Sequence, residues 1–284
     1  MKHNITVLTA PEPSKRKETA CLSLQFEGQQ DRVPVDIDGA AILRTSRVIP
    51  NFGQDFLTIA ACIYATDKAV ARAAEEDKWT RDLSIQIPVG NPAIWQTVSD
   101  DLSECIGFLT GDRWEISFRP ADKGLIQKKP RKRRVPLRRP TGSAVCLFSG
   151  GLDSFIGAID WLSDNPTKKL LLVGHYDRHV AGPKKDQCAL GQACLEKYGN
   201  RIELAQVQVG LTEGGADTNF RSRSLLFVAL ACYFAEIIGN DVPVLIPENG
   251  PIAINFPLTA SRRGSCSTRT VHPYFIQRLN TILR

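Results

Sequence analysis

The chain lacks an apolar run long enough to cross a bilayer. Its longest, Leu225 to Ile238, is interrupted by Glu236 and falls short of the roughly 20 residues that a spanning helix needs. The N-terminal stretch MKHNITVLTAPEP has no long apolar segment either, so it does not read as a secretion signal. Membrane insertion and secretion are therefore not expected, and a cytoplasmic location is. No two of Cys21, Cys62, Cys105, Cys146, Cys188, Cys194, Cys232 and Cys266 stand in Cys-x-x-Cys spacing. The nearest pair, Cys188 and Cys194, lies six residues apart on an expected helix, which turns the two thiols to different faces. The cysteines read as reduced core thiols, and a zinc site within the chain is not expected. Also missing are a Walker loop, with its Gly-Lys-Ser/Thr, and a Gly-x-Gly-x-x-Gly dinucleotide turn.

What is present is a chain of 284 residues, 43% hydrophobic and 23% charged, long enough for a sizeable core and for two domains. The net charge of +6 is concentrated in KKPRKRRVPLRRP, Lys128 to Pro140, which has eight basic residues and no acid. Three prolines and dense like charge disfavour a helix there. The stretch reads as a surface linker, with contact to nucleic acid or an acidic partner as the functional alternative. It divides the chain into an accessory α+β domain at 1–123, a basic Pro-rich linker at 124–143, and a second domain at 144–284.

In the first domain, Ala20 to Phe26 and Val33 to Ile37 alternate as strands, and the polar, Gly-containing connection between them suits a hairpin. Phe52 to Ala74 has helical spacing, Leu83 to Val89 reads as a strand, Pro92 to Leu109 as one helix, and Trp114 to Phe118 as a strand. Asp67 and Lys68 read as an exposed pair. In the second domain, strands at Ala144 to Phe148, Lys169 to His175, Ile202 to Val209 and Val242 to Ile246 alternate with helices at Leu152 to Leu162, Lys184 to Tyr198 and Ser222 to Ile238. That order builds a parallel sheet, and continuous apolar strands such as LLLV fit one covered on both faces. The expected fold class is therefore α/β.

Ligands of such sheets bind beyond the carboxyl ends of the strands, where Ser149-Gly150-Gly151-Leu152-Asp153-Ser154 falls. Glycines at 150 and 151 permit unusual dihedrals and close approach of an anion. The following helix adds its N-terminal amides and positive dipole end. Ser149 and Ser154 supply hydroxyl donors to phosphate. Asp153, an acid beside phosphate, calls for a metal such as Mg²⁺ or a bridging water.

This string resembles the pyrophosphate loop of the ATP pyrophosphatases. Within them, Phe220-Arg221-Ser222-Arg223-Ser224-Leu225-Leu226-Phe227, His175-Tyr176-Asp177 and His272-Pro273-Tyr274-Phe275-Ile276 resemble segments of the 7-cyano-7-deazaguanine synthases. The resemblance implies a Rossmann-like adenine-nucleotide alpha-hydrolase fold over 144–284. It also implies ATP and Mg²⁺ as cofactors, and adenylylation of a 7-deazaguanine carboxylate with release of AMP and pyrophosphate. Departures are the single Arg223 in place of an Arg-Asn pair, Pro247-Glu248-Asn249-Gly250-Pro251 in the substrate segment, and no counterpart of the family's four-cysteine zinc module. Zinc is thus expected of the family but its ligands are absent from this chain, and the second domain is expected to be incomplete at its C-terminus. The accessory domain, basic linker and Arg262-Arg263-Gly264-Ser265 look more like divergent relatives in antiphage defence operons, including the Qat systems and CBASS, which implies modification of a protein partner.

Under that resemblance, Asp153 and Arg223 are the candidate catalytic residues, residues 149–154 hold ATP, and Asp153 also holds the metal. Arg223 is suited to the triphosphate or the substrate carboxylate, or to a structural ion pair. Tyr176 can stack on a base. Glu248 and Asn249 can read the edge of a purine-like base, or form a simple turn. Arg269, with Arg262, Arg263 and His272, can close over phosphates or remain solvated. His175 and His179 are assigned no metal role. The other readings are an ATP pyrophosphatase that thiolates or amidates RNA, and a non-catalytic nucleotide-binding protein.

Overall fold

The computed structural model describes residues 2–9, 22–38, 42, 51–122, 140–217, 221–239, 241–248, 250 and 269–284. The basic linker lies almost wholly outside them, as do Asn249, Arg262 and Arg263. Among the described residues nine strands form one mixed, mostly parallel sheet: β1 Lys2–Thr9, β2 Leu22–Phe26, β3 Arg32–Ile37, β4 Asp82–Val89, β5 Arg113–Pro120, β6 Ala144–Leu147, β7 Leu170–Tyr176, β8 Ile202–Leu211 and β9 Val244–Leu245. Their order is β5-β4-β1-β2-β3-β8-β7-β6-β9. The α-helices with described bounds are α1 Asn51–Ala69, α2 Pro92–Thr97, α3 Ser99–Thr110, α4 Leu152–Asp164, α5 Pro183–Tyr198, α6 Arg223–Ile238 and α7 Pro273–Ile282. The protein is an α/β protein.

In the C-terminal half, β7, β8 and β9 each come after a helix, and β6 to β9 pair with one another in parallel. Along β6 the side chains alternate between two cores. Ala144 and Cys146 join Ala158, Leu162 and Cys194 of α4 and α5, while Val145 and Leu147 pack with the residues of α6. Cover on both faces explains why these strands are apolar throughout. Helix α6 is apolar on every side because it lies between the sheet and α1, with Leu225, Leu226, Leu230 and Phe234 fully buried.

In the N-terminal half, alternate residues such as Ile5 and Val7, Leu22 and Leu24, and Leu83, Ile85 and Ile87 face the core, so these strands read as amphipathic. The hairpin of β2 and β3 forms as its alternation predicts, in antiparallel register. The expected helix at 92–109 divides at Val98, whose N–H donates to Trp95 O at 3.3 Å instead of one residue further back. Thr97 and Ser99 hydroxyls also donate to backbone carbonyls there, Thr97 Oγ1 to Ile94 O and Ser99 Oγ to Gln96 O, and such local bonds compete with the helical ladder.

The halves meet in strand β8. Its first seven residues pair with β7, and Val209 to Leu211 pair antiparallel with Ile37 to Val35 of β3. Beside this seam Gln208 Nε2 donates to Asp36 Oδ2 at 2.8 Å, and Arg178 forms an ion pair with Asp36.

Candidate functional site

Strand β6 extends one residue past Leu147, because Phe148 N–H donates to Val173 O at 2.9 Å. The backbone then turns at Gly150, whose φ of +85° lies in the region that disfavours L side chains. A Cβ at Gly150 would also come within 3.0 Å of Gln187 N and 3.2 Å of its Cγ. Gly151 is extended and leads into α4, which has no side-chain N-cap bond. Helix starts carry amides that need partners, so an uncapped one facing a cleft suits an anion. Ser149 Oγ accepts from Gly151 N–H at 3.3 Å, Ser154 Oγ donates to Gly151 O at 2.9 Å, and the two hydroxyl oxygens stand 3.2 Å apart. Leu152 is 70% exposed, and Asp153 occupies the first turn of α4.

The strand order explains why a cleft forms here. From β6 the chain runs outward to β7 and β8, then returns through α6 to place β9 on the other side of β6. The loops after β6 and β9 therefore diverge, which is the topological switch point of an open α/β sheet. Ser149, Ser154, Ser224, Phe227, Pro247 and Glu248 line the resulting cleft, a narrow one of about 50 Å³. Gly157 keeps the β9 loop close, since a Cβ there would lie 2.5 Å from Pro247 Cβ. Glu248 stands at the exposed rim, and its pKa is raised, first by surrounding protein and then by the charge of Asp153. A larger hollow of about 600 Å³ beside α3, β5 and α7 is lined by Phe108, Trp114 and Tyr274, but it is shallow. Its acids are already bonded: Asp112 to Arg72 and Arg81, Glu104 to Arg278 and Tyr274.

The cleft thus brings together Ser149, Ser154 and Glu248, with Asp153 close enough to influence Glu248. Arg223 is not among its lining residues. The Arg223 Nε–H donates to His175 Nδ1 at 3.2 Å and Nη2 to His175 O at 3.1 Å, while its guanidinium carbon lies 5.1 Å from the Phe227 ring centroid. Tyr176 is covered by Lys184 Nζ, 4.6 Å from its ring centroid. Arg269 donates to Phe108 O at 2.9 Å and lies over that ring, although Thr270 and Val271 beside it reach the cleft.

Asp67 and Lys68 are not an exposed pair; they are 0% and 4% exposed. Asp67 accepts from Arg81 Nη2 and, at 2.5 Å, from Ser222 Oγ. Lys68 Nζ donates to Asp177 Oδ2 at 2.8 Å. On α1 the two side chains reach opposite neighbours, and each finds a buried counter-charge from a distant segment. Sequence reasoning also passed over Gln187, fully buried on α5. Its Nε2 donates to Ser149 O at 3.3 Å and to His175 O at 2.9 Å, tying the ends of β6 and β7. Gln187 is one of two glutamines in the polar helix PKKDQCALGQACLEKY, and nothing in that pattern signals the contact.

The fold and cleft define an α/β protein with a Gly-rich strand-to-helix turn at its switch point. Comparison with protein-family models, with curated proteins and with solved structures finds no match. No helix among the described residues is long and apolar enough to cross a membrane.

Proposed function

We propose that the protein is an ATP-dependent enzyme of the Rossmann-like adenine-nucleotide alpha-hydrolase type that adenylylates the carboxylate of a 7-deazaguanine. The observation that carries the reading is the 149–154 turn: positive φ at Gly150, paired serine hydroxyls and an uncapped helix start, all at the switch-point cleft. These are the donors a triphosphate needs, and fixed donors cost no reorganisation as charge moves. Asp153 and Glu248 offer carboxylate oxygens at the same place, a donor set that fits Mg²⁺, which binds through one or two carboxylates and substrate phosphates. Among the described residues no group of three or more His, Cys, Asp or Glu is arranged to hold a metal; Asp153 and Glu248 are the residues that would hold Mg²⁺ here. Bound Mg²⁺ supplies charge neutralisation on the phosphates.

The substrate carboxylate oxygen attacks the α-phosphorus of ATP, the bond to the β-phosphate oxygen breaks, and pyrophosphate leaves. Ammonia or an amine, from a small molecule or a protein partner, then attacks the acyl carbon and AMP departs. The serines and α4 amides hold the phosphates, and positioning supplies most of the rate. A cytoplasmic setting, a protein partner and a role in antiphage defence belong to the same proposal.

The test is AMP release from ATP by the full chain, with and without 7-carboxy-7-deazaguanine. Stimulated AMP that disappears in Asp153→Ala is the expected result. ATP binding without AMP under any condition sinks the enzyme reading and leaves a nucleotide-binding protein.

A further inference from the structure

Among the described residues, the charged groups that act on one another around His175 are Arg223, Lys68 and Asp177. Asp177 is 4% exposed and already serves Lys68, while its second oxygen accepts from His179 N–H at 3.0 Å. Among the described residues Arg223 has no carboxylate within ion-pair distance, and only its Nε and Nη2 are hydrogen-bonded. It also occupies the first turn of α6, which contains no acid, so the positive end of the helix dipole adds to its charge. Burial pushes the Arg223 pKa down, as expected for a cation without a counter-ion. Arg223 is half-buried, and a cation held there without a carboxylate of its own gains a charge-assisted partner when an anion arrives.

The partner that aims Arg223 is His175, which is fully buried at the carboxyl end of β7. Its Nε2 lies 2.9 Å from Val209 O. A carbonyl can only accept and the Arg223 Nε–H can only donate, so His175 carries its proton on Nε2 and accepts on Nδ1. A protonated ring would point an N–H at the guanidinium N–H. Consistently, burial first and then Arg223 push the His175 pKa down to about 3. The ring is gripped edge-on by Tyr64 of α1, centroids 5.2 Å apart, and by Phe227 of the cleft wall at 5.7 Å. The charged groups facing it are Arg223, Asp177 and Lys68, the last from α1.

We infer that Arg223, held by a neutral His175 that the N-terminal helix clamps in place, is an oxyanion-binding fork beside the cleft, with His175 as its positioning residue. The ligand group is a phosphate or carboxylate oxygen set, matched by the planar guanidinium. Ser224, the next residue, lines the cleft and supplies a neighbouring hydroxyl. The choice of ATP and of a deazaguanine carboxylate as probes rests on the function proposed above; the histidine state does not.

Two experiments on the full chain test this. Long-range proton–nitrogen NMR of the imidazoles, assigned by loss of one signal set in His175→Phe, is expected to show His175 as the Nε2–H tautomer without titration from pH 5 to 9. A His175 that titrates near its ordinary value, or holds its proton on Nδ1, overturns the inference whatever the protein catalyses. Calorimetric titration with inorganic pyrophosphate, Mg·ATP, and 7-carboxy-7-deazaguanine plus a non-hydrolysable ATP analogue then identifies the anion. Arg223→Gln and His175→Phe should weaken the same ligand about tenfold or more, and His175→Asn, which keeps an acceptor near the Nδ1 position, should recover most of that loss. Unchanged affinity for all three in Arg223→Gln, or no binding of any to the wild type, overturns the fork. Anion binding that responds to both variants, with no AMP released, leaves the fork standing and removes only the adenylylation.

Discussion

At the residue scale, buried charges decide more than apolar contacts. Asp112 is 6% exposed and accepts from both Arg72 and Arg81, and Arg81 continues to Asp67. Burial alone raises the Asp112 pKa, but bonds and charge from Arg81, then Arg72, outweigh it and hold the carboxyl below its usual value. The folded pKa lies below the unfolded one, so the stability Asp112 contributes is complete above about pH 4 and is lost as pH falls through the folded value. Urea melts of wild type and Asp112→Asn should therefore converge as pH is lowered below about 4. Removing the hub carboxylate in Asp67→Asn leaves Arg81 short of a counter-charge and should cost about 3–5 kcal/mol in the same melts at pH 7. Gly150→Ala should cost about 1 kcal/mol or more because of its positive φ, and should weaken nucleotide binding beyond that loss of stability. The pairing of Asp67 and Lys68 was illegible in sequence because their partners stand 14 and 109 residues away.

At the scale of elements, the edge strand β5 shows how an open sheet is kept from pairing with another chain. Its outward N–H groups at Ile116 and Phe118 donate to Ser103 Oγ at 3.1 Å and Gln96 Oε1 at 3.3 Å. Side chains of α2 and α3 thus occupy donors that a second strand would use. The double variant Gln96→Ala, Ser103→Ala should lose about 1–2 kcal/mol and self-associate in sedimentation velocity, where the wild type does so less. Helices α1 and α6 meet closely at Gly53: its N–H donates to Glu236 Oε2 at 2.8 Å, and a Cβ would lie 3.2 Å from Tyr233 Cα. Gly53→Val should therefore cost about 1–3 kcal/mol by overpacking, measured by thermal melting. Most strands and helices were legible from periodicity, but β1 was not. KHNITVLT offers only Ile5 and Val7 to the core in its middle, too short an alternation to stand out. Its position between β2 and β4 follows from pairing.

At the scale of the molecule, the basic stretch separates two segments of sequence whose strands join in one sheet. The β3 to β8 pairing, the packing of α1 on α6 and the Lys68–Asp177 ion pair all cross between them. Expressed alone, residues 140–284 would expose the apolar face of α6 and leave Asp177 without Lys68 and His175 without Tyr64. Co-expressed 1–122 and 140–284 should copurify as a folded complex, and 140–284 alone should aggregate. A monomeric, cooperatively melting 140–284 would contradict the shared core.

The sequence by itself determined the α/β class, the alternation of strands and helices after residue 143, and the turn at Ser149 to Ser154, because periodicity, glycine and helix-start chemistry are local. It could not determine which strand neighbours which, since register and order depend on contacts across long loops. Only the tertiary structure placed β9 beyond β6, so that Glu248 faces the serine turn. Only it set Arg223 against His175, with no carboxylate partner among the described residues, and joined the two halves through β8. Those arrangements are set by burial, where charges and backbone groups must find partners from distant parts of the chain.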